Sequence, residues 1–276
     1  MNPVKIIAEI GINHNGDMDL CKRMILLSKV AGCDYVKIQK RDPDVCVPEN
    51  QKNKIKDTPW GRMTYLDYKK HIEFNEQQIE ELVVYSNEIG IEFFASVWDI
   101  PSVDIMAKYT RIGKIGSACI TDIELCKYAR EKFQTLIVST GMSTEEEIEH
   151  CIQECHPDVI MHCNSTYPSP VDELNLQYIT FLKNKWGQQA DIGYSAHEYG
   201  LVTTFGAVAL GAQWVERHIT LDRTMWGSDQ SCSVEPSGVI KLVKGIRDLE
   251  KAMQFIPQER ILFESEKVKR ETLRKV

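Results

Sequence analysis

His197, in GYSAHE, and His218, in VERHIT, each follow a short apolar run, and they lie one strand-helix-strand unit apart. If those two strands are parallel neighbours, both imidazoles project from the same rim of one sheet, where a catalytic metal can be held with open coordination positions. Neutral imidazoles suit a borderline divalent ion such as manganese, iron or zinc, with Glu9 or Asp229 completing the shell directly or through water. Such an ion would polarise a carbonyl or activate water. Lys37 and Lys114 add fixed positive charge, and serine hydroxyls and backbone amides add donors suited to phosphate or carboxylate oxygens. A small, doubly charged anion held beside a Lewis acid fits these residue types.

Each residue taken singly has an ordinary alternative: a strand histidine is more often a hydrogen-bonded core residue, and a strand lysine can snorkel to a rim. Their convergence argues otherwise. Glu9 ends the first strand-like run, Lys37 sits in the second, Ser96 ends the third and Lys114 lies in the fourth. Ser139 and Thr140 end the fifth, and His162, Ser165 and Tyr167 end or follow the sixth. Ser195 and His197 follow the seventh, and His218 the eighth.

The elements that must position them read as β-branched runs at 5–11, 34–39, 91–96, 111–116, 135–140, 158–163, 191–195 and 213–219, alternating with amphipathic helical patterns. This alternation predicts an α/β chain folded as one (β/α)8 TIM barrel, whose active face lies at the C-terminal strand ends. An open doubly wound sheet alternates similarly, but no GxGxxG follows the first run. In the first helical pattern, Leu20, Met24, Leu27 and Val30 form one stripe, with Gly32 as C-cap. Ser143 and Glu146 stand in capping-box spacing. The segment from the second strand to a helix beginning near Glu76 is far longer than an ordinary strand-to-helix connection and reads as a functional loop.

Composition narrows the function classes. With 276 residues and 43% hydrophobic content the chain can bury a full core. A formal net charge of -7 argues against a general nucleic-acid or acidic-membrane surface, so an anionic ligand must be held locally. No apolar run of spanning length and no signal pattern at the N-terminus are found, so a cytoplasmic location is expected. The 9 cysteines lack a repeated CxxC and read as reduced thiols. Cys151 and Cys155, flanked by histidines in HCIQECH, have a spacing that zinc can use, but a core-edge position is the commoner outcome.

The blocks AEIGINHNG (8–16), AGCDYVKIQK (31–40), KIGS (114–117), IVSTGMST (137–144), MHCNSTYPSP (161–170), GYSAHE (193–198) and VERHITLDRTMWGSDQ (215–230) resemble the sialic acid synthases. These N-acetylneuraminate synthase-like transferases condense phosphoenolpyruvate with an N-acetylhexosamine or related sugar, giving a nine-carbon 2-keto acid and phosphate. The resemblance implies that Lys37 and Lys114 contact phosphoenolpyruvate, with Ser117, Ser139, Tyr167 and Ser195 around its phosphate and carboxylate. Ser165 stands where relatives often have asparagine and keeps one donor. It further implies that His197 and His218 hold a divalent metal, Mn2+ or alternatively Mg2+, Co2+ or Fe2+, while Glu9 and Asp229 face the sugar and the metal's water shell.

Two departures from the family pattern stand out. Cys119 occupies a position where many relatives have an acidic residue, which leaves water activation to the metal, Glu9 or Asp122. The second is length: the expected organisation is a barrel over 1–256 and a tail over 257–276, without the C-terminal antifreeze-like domain of longer relatives. That domain helps form the family dimer, so a homodimer is expected only if barrel contacts suffice. Trp60, Tyr65 and Trp226 either stack on sugar faces or anchor loops. The acceptor is left open among N-acetylmannosamine, mannose and diamino-dideoxy hexoses. Two rival readings are a Schiff-base aldolase using Lys37 or Lys114, and a barrel that binds ligand without turnover.

Overall fold

The computed structural model describes residues 3–254 and 259–275. Ten strands occur in chain order: β1 (Lys5–Gly11), β2 (Tyr35–Lys40), β3 (Ile55–Thr58), β4 (Gly61–Thr64), β5 (Glu92–Val97), β6 (Ile112–Ile115), β7 (Thr135–Ser139), β8 (Val159–Cys163), β9 (Asp191–Ala196) and β10 (Trp214–His218). Eight of them close into a parallel barrel in the order β1-β10-β9-β8-β7-β6-β5-β2, and β3 and β4 form a separate antiparallel hairpin. The eight expected strands are therefore all present, with ends displaced by a residue or so, and helices cover the outside.

Alternation along the strands builds the interior in two layers. Because successive side chains point to opposite faces, every second residue enters the barrel. Ile7, Tyr35, Phe94, Ile112, Ile137, Met161 and Trp214 pack together as an apolar floor. Gly193 completes it, since a Cβ there would meet the Cβ of Trp214 at 3.0 Å and the Cε of Met161 at 3.1 Å. Two residues further along these strands come Glu9, Lys37, Ser96, Lys114, Ser139, Cys163, Ser195 and Glu216. The register aligns them: Glu9 pairs with both Lys37 and His218, Ser96 with Lys114, and Ser195 with both Cys163 and Glu216. A polar layer thus rests directly on a dry floor.

Outside the barrel, the larger core lies between strands and helices. The helix Met18–Ala31 buries Met24 of the expected stripe together with Cys21, Ile25 and Ser28, and Leu20 and Leu27 of the stripe pack half-buried against the core. Of that stripe Val30 is 71% exposed. The buried face is centred between Met24 and Ile25, which leaves Val30 outside it, and the Ser28 hydroxyl donates to the Met24 carbonyl at 2.8 Å. Gly32 caps it with φ 88°, as expected. The capping box of the helix Glu145–Cys155 uses Thr144 and Glu147, one residue beyond the expected pair, because Ser143 is engaged with the Gly141 carbonyl. Cys151 and Cys155 are fully buried, and the Cys151 sulfur lies 3.8 Å from that of Cys126. They pack as core thiols, and among the described residues no cluster of three or more His, Cys, Asp or Glu is placed to hold a metal alone.

The long connection after β2 is structured. It contains helical turns at Pro43–Cys46 and Glu49–Lys52, the β3–β4 hairpin and the helix Tyr65–Ile72, and it leads to the helix Glu76–Ile89. Tyr68 and Ile72 form a small core with Ile12, packed against Met63, Tyr65 and Trp226. Trp60 and Trp226 meet edge-on at 5.5 Å. In this structure these aromatics tie the loop down, which is the anchoring alternative. The 256/257 boundary lies outside the described residues, and the segment beyond it includes a helix, Glu264–Leu273. No helix among the described residues is long and apolar enough to cross a membrane.

Candidate active site

The polar layer encloses a cavity of about 190 Å3 at the C-terminal strand ends. Glu9, Lys37, Lys114, Ser117, Ser139, Ser165, Tyr167, Ser195, His197 and His218 all line it, so ten of the eleven residues singled out converge. Asp229 stands just behind, its Oδ2 4.0 Å from His218 Nδ1.

Four buried charges form the base. Lys37 Nζ lies 2.5 Å from Glu9 Oε2 and 3.8 Å from Glu216 Oε2, and Lys114 Nζ lies 2.6 Å from Glu216 Oε1. Lys37 also donates to Ser96 Oγ at 2.6 Å, and Ser195 Oγ donates to Glu216 Oε1 at 3.0 Å. Two carboxylates and two ammonium groups balance, which is what makes burial of all four tolerable. Burial raises the Glu9 carboxyl to about 7, against the pull of Lys37 and with Glu216 adding to the rise. Burial also opposes the charge on Glu216, but Lys114 and Lys37 outweigh it and hold that carboxyl near 2.

Glu216 was missed in the sequence. The signal was present, because it lies two residues before His218 and therefore faces the same side of β10. Cys163, two residues beyond the floor residue Met161, was missed for the same reason. Its sulfur lies 3.7 Å from His197 Nδ1.

His197 and His218 approach with ring centroids 5.3 Å apart. His197 Nδ1 lies 2.7 Å from the Asn164 carbonyl, so a proton there would leave Nε2 with a free lone pair. His218 Nδ1 is buried without a hydrogen-bond partner. Burial keeps His218 neutral, at about 3, with Asp229 opposing. Gly11 makes room here: at φ 58° it is in the left-handed region, and a Cβ would stand 3.1 Å from His218 Cε1 and 3.3 Å from Glu9 Oε1. Two imidazoles, one backed by a carbonyl and one with an orphaned nitrogen, fit a divalent ion whose other ligands come from substrate or water, and a bound ion would displace the proton that Cys163 favours on His197 against its burial.

Hydroxyls surround the remaining wall. Ser139 Oγ is buried with no partner, and Ser117 Oγ accepts from the Gly141 amide at 3.0 Å. The Tyr167 ring lies 4.1 Å from that of His197. Gly141 leaves room for these hydroxyls, since a Cβ there would fall 2.2 Å from Ser165 Oγ and 2.8 Å from Ser117 Oγ and would push both aside. Other strand-end residues serve the scaffold. His162 Nε2 bonds the Leu174 carbonyl at 2.6 Å, and Thr140 Oγ1 donates to the Met161 carbonyl at 3.2 Å.

Cys119 and Asp122 do not line the cavity. The tight turn Ser117–Cys119 presents Ser117 and Ala118 to the cavity and leaves Cys119 buried on the far side. Burial raises that thiol to about 12, so it is no nucleophile. Asp122 is exposed and caps the helix Ile123–Lys132, accepting from the Leu125 amide at 3.1 Å. Water activation by Asp122 is therefore excluded by position.

Comparison with known proteins agrees with this geometry. The chain is 36% identical over 270 residues to the N-acetylneuraminate-9-phosphate synthase of Drosophila melanogaster, covering 95% of this chain and 72% of that protein. It is 33% identical over 267 residues to the N,N'-diacetyllegionaminic acid synthase of Campylobacter jejuni, covering 92% and 78%. The crystal structure of N-acetylneuraminic acid synthetase from Leptospira borgpetersenii, in complex with citrate, superposes with a TM-score of 0.86 at 32% identity, covering 100% of this chain and 94% of that one. Residues 24–256 match the NeuB family, and the chain belongs to it.

Proposed function

We propose that this chain is a phosphoenolpyruvate-dependent sugar acid synthase, joining phosphoenolpyruvate to an N-acetylhexosamine-type aldose to give a nine-carbon 2-keto acid and phosphate. The observation that carries this reading is one cavity holding two lysines, a ring of hydroxyls and a pair of imidazoles on an apolar floor. The names of the related synthases support the same reaction class.

Lys37 and Lys114 bind the anionic donor, and Ser139, whose hydroxyl has no partner in the protein, donates to its oxygens. The floor excludes water from below, which strengthens those contacts. C3 of phosphoenolpyruvate attacks the aldehyde carbon, forming the C–C bond, while the aldehyde oxygen takes a proton. Water then adds at C2, and cleavage of the C2–O bond releases phosphate. Glu9, in contact with Lys37, is placed to hold and move that proton. His197 and His218 would hold a divalent ion, Mn2+ foremost, and the bound ion supplies Lewis-acid polarisation of the aldehyde.

The aldolase alternative would need Lys37 or Lys114 to leave its carboxylate partner, Glu9 or Glu216, before attacking a carbonyl carbon. The reading is tested by measuring phosphate release from phosphoenolpyruvate with Mn2+ against a panel of aldoses, with and without chelator. Release that needs both sugar and metal is expected. No release with any acceptor would sink the synthase reading, and chelator-resistant release or unchanged release in His218→Ala would remove the metal site.

A further inference from the structure

The loop that follows β8 encloses His197. The Asn164 carbonyl lies 2.7 Å from its Nδ1, the Tyr167 ring lies 4.1 Å from its ring, and the Ser169 amide donates to its backbone carbonyl at 3.2 Å. The same Tyr167 ring meets that of His218 edge-on at 5.9 Å, so it lies across both imidazoles. His218 Nδ1 is without a hydrogen-bond partner, which makes His197 the oriented imidazole of the pair.

Packing alone does not hold this loop. Behind it lies a second cavity of about 510 Å3, lined by Asn164, Ser165 and Thr166 together with Glu173 and Tyr178. Ser165 borders both this cavity and the catalytic one, so the loop is a wall with open space on either side. A segment with few packed neighbours is among the first to open, and its own hydrogen bonds must keep its shape. Those bonds converge on Asn164. Its Oδ1 accepts from the Thr166 amide at 3.0 Å, and its Nδ2 donates to the Glu173 carbonyl at 3.2 Å. The buried Ser169 hydroxyl donates to the Thr166 carbonyl at 2.8 Å, with the Asn164 carbonyl at 3.1 Å as its next acceptor. Thr166 is thus tied through both its amide and its carbonyl, and Tyr167 follows it directly in the chain.

We propose that Asn164 is the positioning residue of the imidazole half of the site. Its main-chain carbonyl keeps a His197 proton on Nδ1 and leaves Nε2 as the free lone pair. Its side-chain amide locks the loop that supplies this carbonyl and lays Tyr167 over both rings. This rests on the reading of His197 and His218 as a divalent-metal pair. A ligand imidazole held through its second nitrogen keeps one ring orientation and one tautomer, and such outer partners govern about 10–100-fold in metal affinity.

The test is calorimetric titration of the full metal-free chain with Mn2+ and, separately, with phosphoenolpyruvate. Asn164→Ala is expected to weaken Mn2+ binding about 10–100-fold, and Ser169→Ala, which cuts the other tie on Thr166, about threefold to tenfold. Phosphoenolpyruvate binding, which the lysines dominate, should shift by no more than about threefold in either variant. Glu173→Ala is the control, because the Asn164 amide bonds the main-chain carbonyl of Glu173, and it should bind both ligands as the parent does. Nitrogen NMR of the imidazoles adds a readout that needs no metal. At a pH where His197 is neutral, its proton should sit on Nδ1 in the parent and be shared between both nitrogens in Asn164→Ala. Unchanged Mn2+ affinity in both alanine variants would overturn the proposal, as would equal losses for Mn2+ and phosphoenolpyruvate, which mark a merely structural role. If the parent binds no Mn2+, the metal reading fails and the NMR signal decides alone: an unaltered His197 tautomer in Asn164→Ala then sinks the positioning role.

Discussion

Glu216 Oε1 lies 2.6 Å from Lys114 Nζ, while its other oxygen lies 3.8 Å from Lys37 Nζ, so one buried carboxylate holds both lysines of the cradle. Its neutralisation strips that shared partner from two buried cations. Glu216→Gln should therefore destabilise the chain by about 3 kcal/mol, read by urea unfolding. The freed positive charge should leave phosphoenolpyruvate binding equal or tighter while kcat falls at least about tenfold, because the lysines lose their fixed positions. Weakened donor binding with unchanged kcat would contradict this.

Cys119 is buried with its side chain on the far side of the 117–119 turn from the cavity. Cys119→Ser should leave phosphate release within about threefold of the parent and cost about 1 kcal/mol of stability, as expected for a buried core-edge site. Abolished turnover in a folded Cys119→Ser protein would place the thiol in the chemistry after all.

Arg217, which leaves β10 on the opposite face from Glu216, is fully buried against Glu198. It donates to Glu198 Oε1 at 2.9 Å and to the Glu198 carbonyl at 2.6 Å. Glu198→Ala would strand a buried guanidinium and should cost about 3–5 kcal/mol in urea unfolding. Because Glu198 follows His197 directly, the same variant should also weaken Mn2+ binding by calorimetry.

His14 stacks on Phe74 at 4.1 Å and accepts from the Gly16 amide at 3.0 Å. Burial, with Arg41 adding to it, lowers its folded-state pKa from 6.5 to about 3. Between those values the unfolded chain binds the extra proton, so this contribution is complete above about pH 6.5 and declines as pH falls towards 3. Urea unfolding should show up to about 1.4 kcal/mol lost per pH unit from this group, and His14→Gln should flatten that slope. An unchanged slope would mean that His14 does not titrate on unfolding.

The sequence by itself determined the barrel and the identity of most of its rim. Eight β-branched runs with polar ends were enough, because strand period and strand-end position are local properties. Lys37, Lys114, His197 and His218 were legible for that reason. Glu216 was legible in principle, two residues before His218, but a glutamate inside an apolar run carries no mark of its partner. Only closure of the barrel brings Lys114 of β6 and Glu216 of β10 together across the interior. Tertiary structure also decided which way the 117–119 turn faces, hence that Cys119 and Asp122 lie outside the cavity. The pairing of Lys40 with Glu73 and of Lys70 with Asp44 was decided there too. Which charges meet depends on how the loop folds back over the barrel, and spacing along the chain does not encode that distance.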